Sequence, residues 1–132
     1  MAAVAMTAWE RVFLLGGAGA IGTLSRAGLS HLLSRHLGAQ YPWGTTVVNV
    51  LGCLLFGLVW ALTERGLPGS LPARYIVLTG FMGAFTTFST YLFETSALLT
   101  AGRVVVALGS LTLQNVLGML AIVAGMALGR WL

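Results

Sequence analysis

Charged residues are scarce in this chain. They make up 8% of its 132 residues, lysine and aspartate are absent, and all seven basic residues are arginine. Because a soluble domain carries about 25% charged residues, an ordinary water-soluble protein is excluded. The few charges lie singly along the chain and make no basic face, so an isoelectric point near 10.3 does not indicate a nucleic-acid partner. With 58% hydrophobic residues, the chain is predicted to lie in a lipid bilayer.

The groups that enzymes use are also missing. The single cysteine, Cys53, lies in an apolar run and cannot form an intrachain disulfide. The sequence contains no metal-binding cluster, catalytic triad, phosphate-binding loop or pair of neighbouring carboxylates, and about 130 residues make at most one domain. We therefore expect no enzymatic activity. His31 and His36, on either side of Arg35, receive no role.

The spacing of the charges predicts four membrane-spanning helices. A helix needs about 20 apolar residues to cross a hydrocarbon core of about 30 Å. Uncharged stretches of 28, 19 and 26 residues, each long enough for one span only, separate Arg35 from Glu64, Arg74 from Glu94, and Arg103 from Arg130. A further span begins after Arg11. We predict one all-α transmembrane domain, residues 1–132, with helices near 10–33, 43–63, 74–99 and 104–130.

The arginines do not favour one orientation of these helices. With four spans, both termini and the middle loop share one side of the membrane. That side carries Arg11, Arg65, Arg74 and Arg130, and the opposite side carries Arg26, Arg35 and Arg103. Four against three is too small a difference for the positive-inside rule to assign an orientation. Two explanations stay open: an unseen determinant of one-sided insertion, or dual topology, in which copies insert both ways and assemble as an antiparallel pair.

Small and polar residues inside the spans are the next signal. Glycines at 52 and 57 and at 118, 125 and 129 predict close helix packing. Asn49 lies in the second span, with Thr45 one turn earlier on the same face. A carboxamide in hydrocarbon is costly unless its hydrogen-bonding groups are used. Asn49 is therefore either an interhelical hydrogen-bonding residue or part of a site.

The third span carries an unusual polar and aromatic block. Residues 79–91, TGFMGAFTTFSTY, combine two glycines, four aromatic residues and five threonine or serine residues. This composition favours a local unwinding of the helix, which is tolerated at that depth only where it is buried in protein or lines a cavity, and where such proteins hold ions. Phe88 and Tyr91, three residues apart, place their rings on one face, and the positive edges of such rings can face an anion. Simple packing of the rings is the alternative.

Two further polar features lie near the end of the chain. Ser110 and Gln114 are spaced i, i+4 and form a short polar stripe on the fourth span. Glu94 is the only acid that can lie within a span, and such an acid is a functional candidate. Because it lies near a boundary, a solvated role is the alternative.

These motifs resemble the CrcB/Fluc fluoride channels. The matching segments are Gly-Gly-Ala-Gly-Ala at 16–20 leading to Arg26, Pro-Trp-Gly-Thr at 42–45 with Asn49 and Gly52, and Gly-Phe-Met-Gly at 80–83 with Thr-Thr-Phe-Ser-Thr at 86–90. The resemblance covers all four predicted helices in order.

The resemblance implies a multi-pass cell-membrane channel that exports fluoride passively and so relieves fluoride toxicity. It implies an antiparallel, dual-topology homodimer with two pores, and a broken third helix whose backbone carbonyls at Gly83 and Thr86 hold one central structural Na⁺. Asn49 matches the pore asparagine, and Phe88 and Tyr91 match the family's two ring positions. The polar track maps to Thr87, Ser89, Thr90, Ser110 and Gln114. Thr45, Arg26 and Glu94 match positions at the pore lining, the vestibule and the pore.

The chain departs from the family pattern at several positions. Tyr91 stands where phenylalanine is usual, so its hydroxyl can donate to fluoride, bind a neighbour or narrow the path. Ser110 stands where tyrosine is frequent, Gly118 where serine occurs, and Phe85 where an aliphatic residue is commoner. These departures bear on rate and selectivity more than on the function itself.

A second functional hypothesis comes from a different class of protein. A small multidrug-resistance exporter also has four helices and dual topology, and it couples proton entry to the efflux of lipophilic cations. It requires a carboxylate deep in the first helix. Glu10 lies at the boundary and residues 12–25 contain no acid, which counts against this alternative.

Overall fold

The described part of the chain is entirely helical apart from short connections. The computed structural model describes residues 6–64 and 70–132. Four helical segments are long and apolar enough to cross a membrane: Ala8–Leu37, Trp43–Glu64, Pro72–Thr100 and Val104–Trp131. The prediction of four long apolar helices is therefore confirmed. Arg65, one of the arginines weighed for orientation, lies outside the described residues.

The first span is one continuous helix, α1 (Ala8–Leu37). A capping box starts it: the backbone N–H of Glu10 donates to the hydroxyl of Thr7 (3.3 Å), and the backbone N–H of Thr7 donates to the carboxylate of Glu10 (2.7 Å). Gly38, with a φ of 82°, ends it in a conformation that other residues rarely adopt. These two signals extend the helix at both ends beyond the predicted 10–33.

The second and fourth spans pack backbone to backbone. They are α2 (Trp43–Glu64) and α6 (Val104–Trp131). A Cβ added to Gly57 would lie 2.2 Å from the carbonyl oxygen of Ile122, and one added to Gly125 would lie 2.1 Å from that of Leu54. Small residues permit this approach between membrane helices. The close packing predicted at these glycines is confirmed.

The third span is divided into several pieces. In chain order they are α3 (Ser70–Tyr75), a π-helical stretch (Ile76–Met82), α4 (Gly83–Phe85) and α5 (Phe88–Thr100). Between α4 and α5 the backbone of Thr86 and Thr87 is extended, with ψ of 157° and 111°. The π-helical stretch runs into the block of glycine, threonine and aromatic residues at 79–91, and the extended segment lies inside that block. π-helical turns are rare in proteins, and those that occur often lie at functional sites.

The π-helical stretch packs against α1 where glycine leaves space. A Cβ added to Gly22 would lie 2.3 Å from the carbonyl oxygen of Phe81, and one added to Gly80 would lie 2.9 Å from the Cβ of Ala18. The first and third spans therefore meet as closely as α2 and α6 do.

Two contacts define the ends of the four-helix arrangement. At one end, the guanidinium of Arg103 donates to the carbonyl oxygen of Gln40, which joins the turn before α6 to the connection before α2. At the other end, Arg130 Nη2 lies 3.7 Å from Glu64 Oε2. The connections before α2 and before α6 therefore lie at one end of the four helices, and the ends of α2 and α6 lie at the other. The outer surface is apolar, with Trp9 73% and Val105 83% exposed, which suits contact with lipid.

Candidate functional site

Asn49 joins three spans at the point where the third span is extended. Its Oδ1 accepts from the backbone N–H of Thr87 (2.8 Å), and its Nδ2 donates to the carbonyl oxygen of the same residue (3.1 Å). Nδ2 also donates to Oε1 of Gln114 on α6 (3.1 Å). The amide is thereby satisfied entirely by protein groups. Of the two interpretations of Asn49, the interhelical hydrogen bond is present, and it lies within the candidate site.

The start of α5 fixes the extended segment from its other side. The Thr87 hydroxyl accepts from the backbone N–H of Thr90 (3.3 Å) and donates to the Thr90 hydroxyl (2.9 Å). Thr87 is therefore an N-cap residue, of a type that stabilises helix starts. Gly52 leaves room for the segment, because a Cβ there would lie 2.2 Å from Cγ2 of Thr86. Three residues thus stabilise or accommodate the extended conformation: Thr87 caps the next helix, Gly52 leaves space, and the amide of Asn49 binds the backbone.

The polar network continues along α6. Nε2 of Gln114 donates to the hydroxyl of Ser110 (3.1 Å), and both residues are buried. One continuous set of hydrogen bonds therefore links five residues that the sequence singled out: Ser110, Gln114, Asn49, Thr87 and Thr90. Because a buried polar group without a partner is costly, these hydrogen bonds hold the three spans in a specific arrangement.

The carbonyl groups of Gly83 and Thr86 lack the backbone N–H partners that carbonyl groups have in a regular α-helix. In an α-helix they would accept from the N–H groups of Thr87 and Thr90. Those two N–H groups donate instead to Asn49 Oδ1 and to the Thr87 hydroxyl. Gly83 is also exposed, and the nearest atom to a Cβ there would be 3.9 Å away. Carbonyl oxygens of this kind are suitable ligands for a hard cation, so these two residues fit the site that the resemblance implies.

The two predicted ring residues are neighbours. The ring centroids of Phe88 and Tyr91 are 5.8 Å apart, with their planes tilted by 56°. Tyr91 is buried against α6, whereas Phe88 is 71% exposed. The pair begins one residue after the extended segment, so the backbone irregularity and the rings form one feature.

The hydroxyl of Tyr91 binds a neighbour that was not expected from the sequence. Nδ2 of Asn115 donates to the phenol oxygen (2.8 Å) and to the carbonyl oxygen of Leu111 (2.7 Å), and the phenol O–H donates to the same carbonyl (3.4 Å). Of the three possibilities for this hydroxyl, the structure has the contact with a neighbour. Asn115 directly follows Gln114 but lies on another face of α6, so the i, i+4 polar stripe did not reveal it.

Four other predicted residues lie outside this network. Thr45 is buried, one turn before Asn49, and Ser89 is exposed. Among the described residues, Nε of Arg26 and Oε2 of Glu94 are buried without a hydrogen-bond partner. Glu94 lines a cavity of about 390 Å³ with Arg103, towards the end of the molecule where Arg103 binds Gln40.

A second cavity opens beside Asn49. Its volume is about 290 Å³, and it lies between the second, third and fourth spans. The lining residues are Asn49, Gly52, Cys53, Phe56, Thr86, Thr87, Phe88 and Ile122. Most of this lining is apolar, and Asn49, Thr86 and Thr87 contribute its amide and hydroxyl-bearing side chains.

Comparison with known proteins identifies the family. The family described as "CrcB-like protein, Camphor Resistance (CrcB)" matches residues 13–126. A protein of Solidesulfovibrio magneticus named "Fluoride-specific ion channel FluC" is 50% identical over 121 residues, which are 92% of this chain and 97% of that protein. A protein of the same name from Nitrosococcus oceani is 48% identical over 122 residues, covering 92% and 98% of the two chains. The chain therefore belongs to the CrcB-like family, as its motifs indicate.

Proposed function

We propose that this protein is a fluoride-selective ion channel through which fluoride leaves the cytoplasm passively, relieving fluoride toxicity. Relatives that align over nearly their whole length are named as fluoride-specific channels. The structural observation that carries the proposal is the Asn49–Thr87 junction, which fixes an extended segment directly before the hydroxyl groups and aromatic rings at the start of α5.

The chemistry of fluoride fits this set of groups. Fluoride is small and holds its water tightly, so a pore must replace that water with fixed donors. Thr90 and Ser110 each accept a hydrogen bond through the hydroxyl oxygen, so their protons can rotate towards a passing ion. The Thr87 hydroxyl can donate to the ion when it releases Thr90. The positive edges of the Phe88 and Tyr91 rings can face the anion while excluding water. We assign Ser89 and Thr45 to the lining of the same path.

The proposed role of Asn49 follows from its hydrogen bonds. Both of its donor bonds end on protein oxygens, at Thr87 and Gln114. A direct bond to fluoride would require Nδ2 to release Gln114. We therefore propose that the main role of Asn49 is to hold the extended segment in place. It donates to the ion only when its hydrogen bond to Gln114 breaks and fluoride replaces Gln114 as the acceptor.

A second copy of the chain would complete the pore. Phe88, Ser89 and Gly83 are exposed at a depth where polar backbone is tolerated only if protein covers it. We propose an antiparallel homodimer with two pores, in which the interruption at Thr86 and Thr87 is the helix break of the family. The near balance of arginines at the two ends is what insertion in both orientations requires.

A central Na⁺ is proposed at the same interface. The carbonyl oxygens of Gly83 and Thr86 would hold it, since their usual N–H partners are directed elsewhere. When bound, the cation would lower the electrostatic barrier to an anion. Arg26 is proposed to do so at the vestibule and Glu94 to line the pore, and each has a buried polar atom without a partner among the described residues. We place the protein in the cell membrane.

Fluoride efflux from proteoliposomes tests the proposed function. Purified protein is reconstituted, the voltage is clamped with potassium and valinomycin, and the external ion is read with a fluoride electrode. A passive selective channel releases fluoride and retains chloride. No fluoride release from correctly folded protein would contradict the proposal. The exporter of lipophilic cations is not favoured, because the relatives are named channels and residues 12–25 contain no acid.

A further inference from the structure

We infer that Asn115 is a positioning residue for Tyr91, and that it keeps the phenol hydroxyl from donating to a permeating anion. This inference rests on the proposed channel function and adds to it a residue outside the segments that carry the resemblance. Asn115 belongs to α6, is exposed on the described chain, and reaches across to α5.

The geometry is a closed triangle of polar groups. The two hydrogens of the Asn115 amide are directed to the phenol oxygen at 2.8 Å and to the Leu111 carbonyl at 2.7 Å. The phenol O–H is directed to the same carbonyl at 3.4 Å. The single phenol proton therefore has a backbone carbonyl as its acceptor, and the bond that the phenol oxygen accepts from Asn115 holds the hydroxyl against α6.

This arrangement determines what Tyr91 presents to the path. A free phenol O–H is a strong donor to fluoride, and an ion held too tightly leaves slowly. With the hydroxyl fixed at its far end, the ring keeps its tilt against Phe88, at 5.8 Å between centroids. Tyr91 therefore offers a ring edge, as phenylalanine would, and Asn115 is the residue that makes the hydroxyl compatible with that role.

A double-mutant cycle tests the coupling. Fluoride efflux is compared for the wild type, N115L, Y91F and N115L/Y91F, with T112V as a control at an exposed polar residue one turn earlier on α6. Leucine matches the shape of asparagine without its hydrogen bonds. In N115L the released phenol O–H can donate to fluoride, and one additional hydrogen bond to the ion corresponds to about a fivefold fall in the efflux rate. Because contacting residues are non-additive, the double variant should conduct at the rate of Y91F, and T112V at that of the wild type.

A spectroscopic readout follows the contact itself. The chain has three tyrosines, so 3-fluorotyrosine labelling gives three ¹⁹F resonances, and Y91F identifies the one from Tyr91. Fluorine next to the hydroxyl responds to its hydrogen bonds. N115L should shift that resonance and leave the other two in place. If N115L does not fold, N115A, which also lacks the amide, takes its place in both measurements.

The outcomes separate this inference from the proposed function. If N115L slows efflux equally in the wild-type and Y91F backgrounds, or leaves the Tyr91 resonance unmoved, the positioning role is overturned while the channel stands. If the wild type itself releases no fluoride, the channel proposal fails, and with it the role of Asn115 in conduction, even where the resonance shifts.

Discussion

Gly57 and Gly125 lie at the crossing of α2 and α6, where each faces the backbone of the opposite helix. The space for a Cβ at Gly57 is taken by the carbonyl oxygen of Ile122, and that at Gly125 by the carbonyl oxygen of Leu54. Carbonyl oxygens of regular helices cannot move aside as a flexible side chain can. The crossing therefore depends on the absence of side chains at both positions.

Substituting Gly125 with alanine is expected to destabilise the protein. The added methyl group would collide with backbone at 2.1 Å, and overpacking of this kind typically costs about 1–3 kcal/mol. Gly109→Ala is the matched control, because nothing lies within 4 Å of a Cβ there and the residue belongs to the same helix. The measurement is the thermal unfolding midpoint in detergent. Equal midpoints for the two variants would show that the helices separate without cost.

Asn49→Asp is expected to abolish fluoride flux while leaving the protein folded. Aspartate can still accept from the N–H of Thr87, but it donates to neither Thr87 nor Gln114 and adds negative charge beside the proposed path of an anion. The measurement is proteoliposome efflux, with gel filtration to verify folding. Thr63→Val serves as the control, because the Thr63 hydroxyl bonds carbonyl groups of its own helix. Normal flux in the aspartate variant would refute the assignment of Asn49 to the pore.

Phe88→Ile should lower fluoride flux sharply. Isoleucine keeps an apolar side chain but has no positive ring edge. Phe93 provides a close comparison, because it lies on the same helix and is 74% exposed against 71% for Phe88. Phe93→Ile is expected to conduct like the wild type in the same efflux assay. If both variants lost flux equally, general packing of α5 would explain the result better than a ring at position 88.

The helices were predictable from the sequence because bilayer thickness dictates their length. Charged residues at the ends of the apolar stretches located all four spans. The first helix is longer than predicted at both ends. The Thr7–Glu10 capping box was not considered, and the helix continues up to Gly38, the first residue of the turn predicted from the sequence. The π-helical stretch was not foreseen, because its hydrogen-bond pattern depends on close packing against α1 at Gly22 and Gly80.

The candidate site was predictable to a different degree. Asn49 was predictable as a site residue because an uncompensated polar group inside a span is costly. Gln114 was predictable from its polar stripe with Ser110, and Thr87 from the block of hydroxylated and aromatic residues. Their mutual bonds could not be derived, since they join residues distant in the sequence. Asn115 was missed for a related reason: its partner Tyr91 is on α5, and no spacing along α6 indicates that contact.

The two hydrogen bonds between the Asn49 side chain and the backbone of Thr87 determine which substitutions the two positions can accept during evolution. The amide of Asn49 binds the peptide N–H and C=O of position 87 and does not bind its side chain. Position 87 can therefore vary among residues that still cap a helix, such as serine, without loosening the junction. Position 49 has no such freedom, because an acceptor and a donor at that reach come only from asparagine. Sequence drift should accumulate on one side of this contact and not on the other.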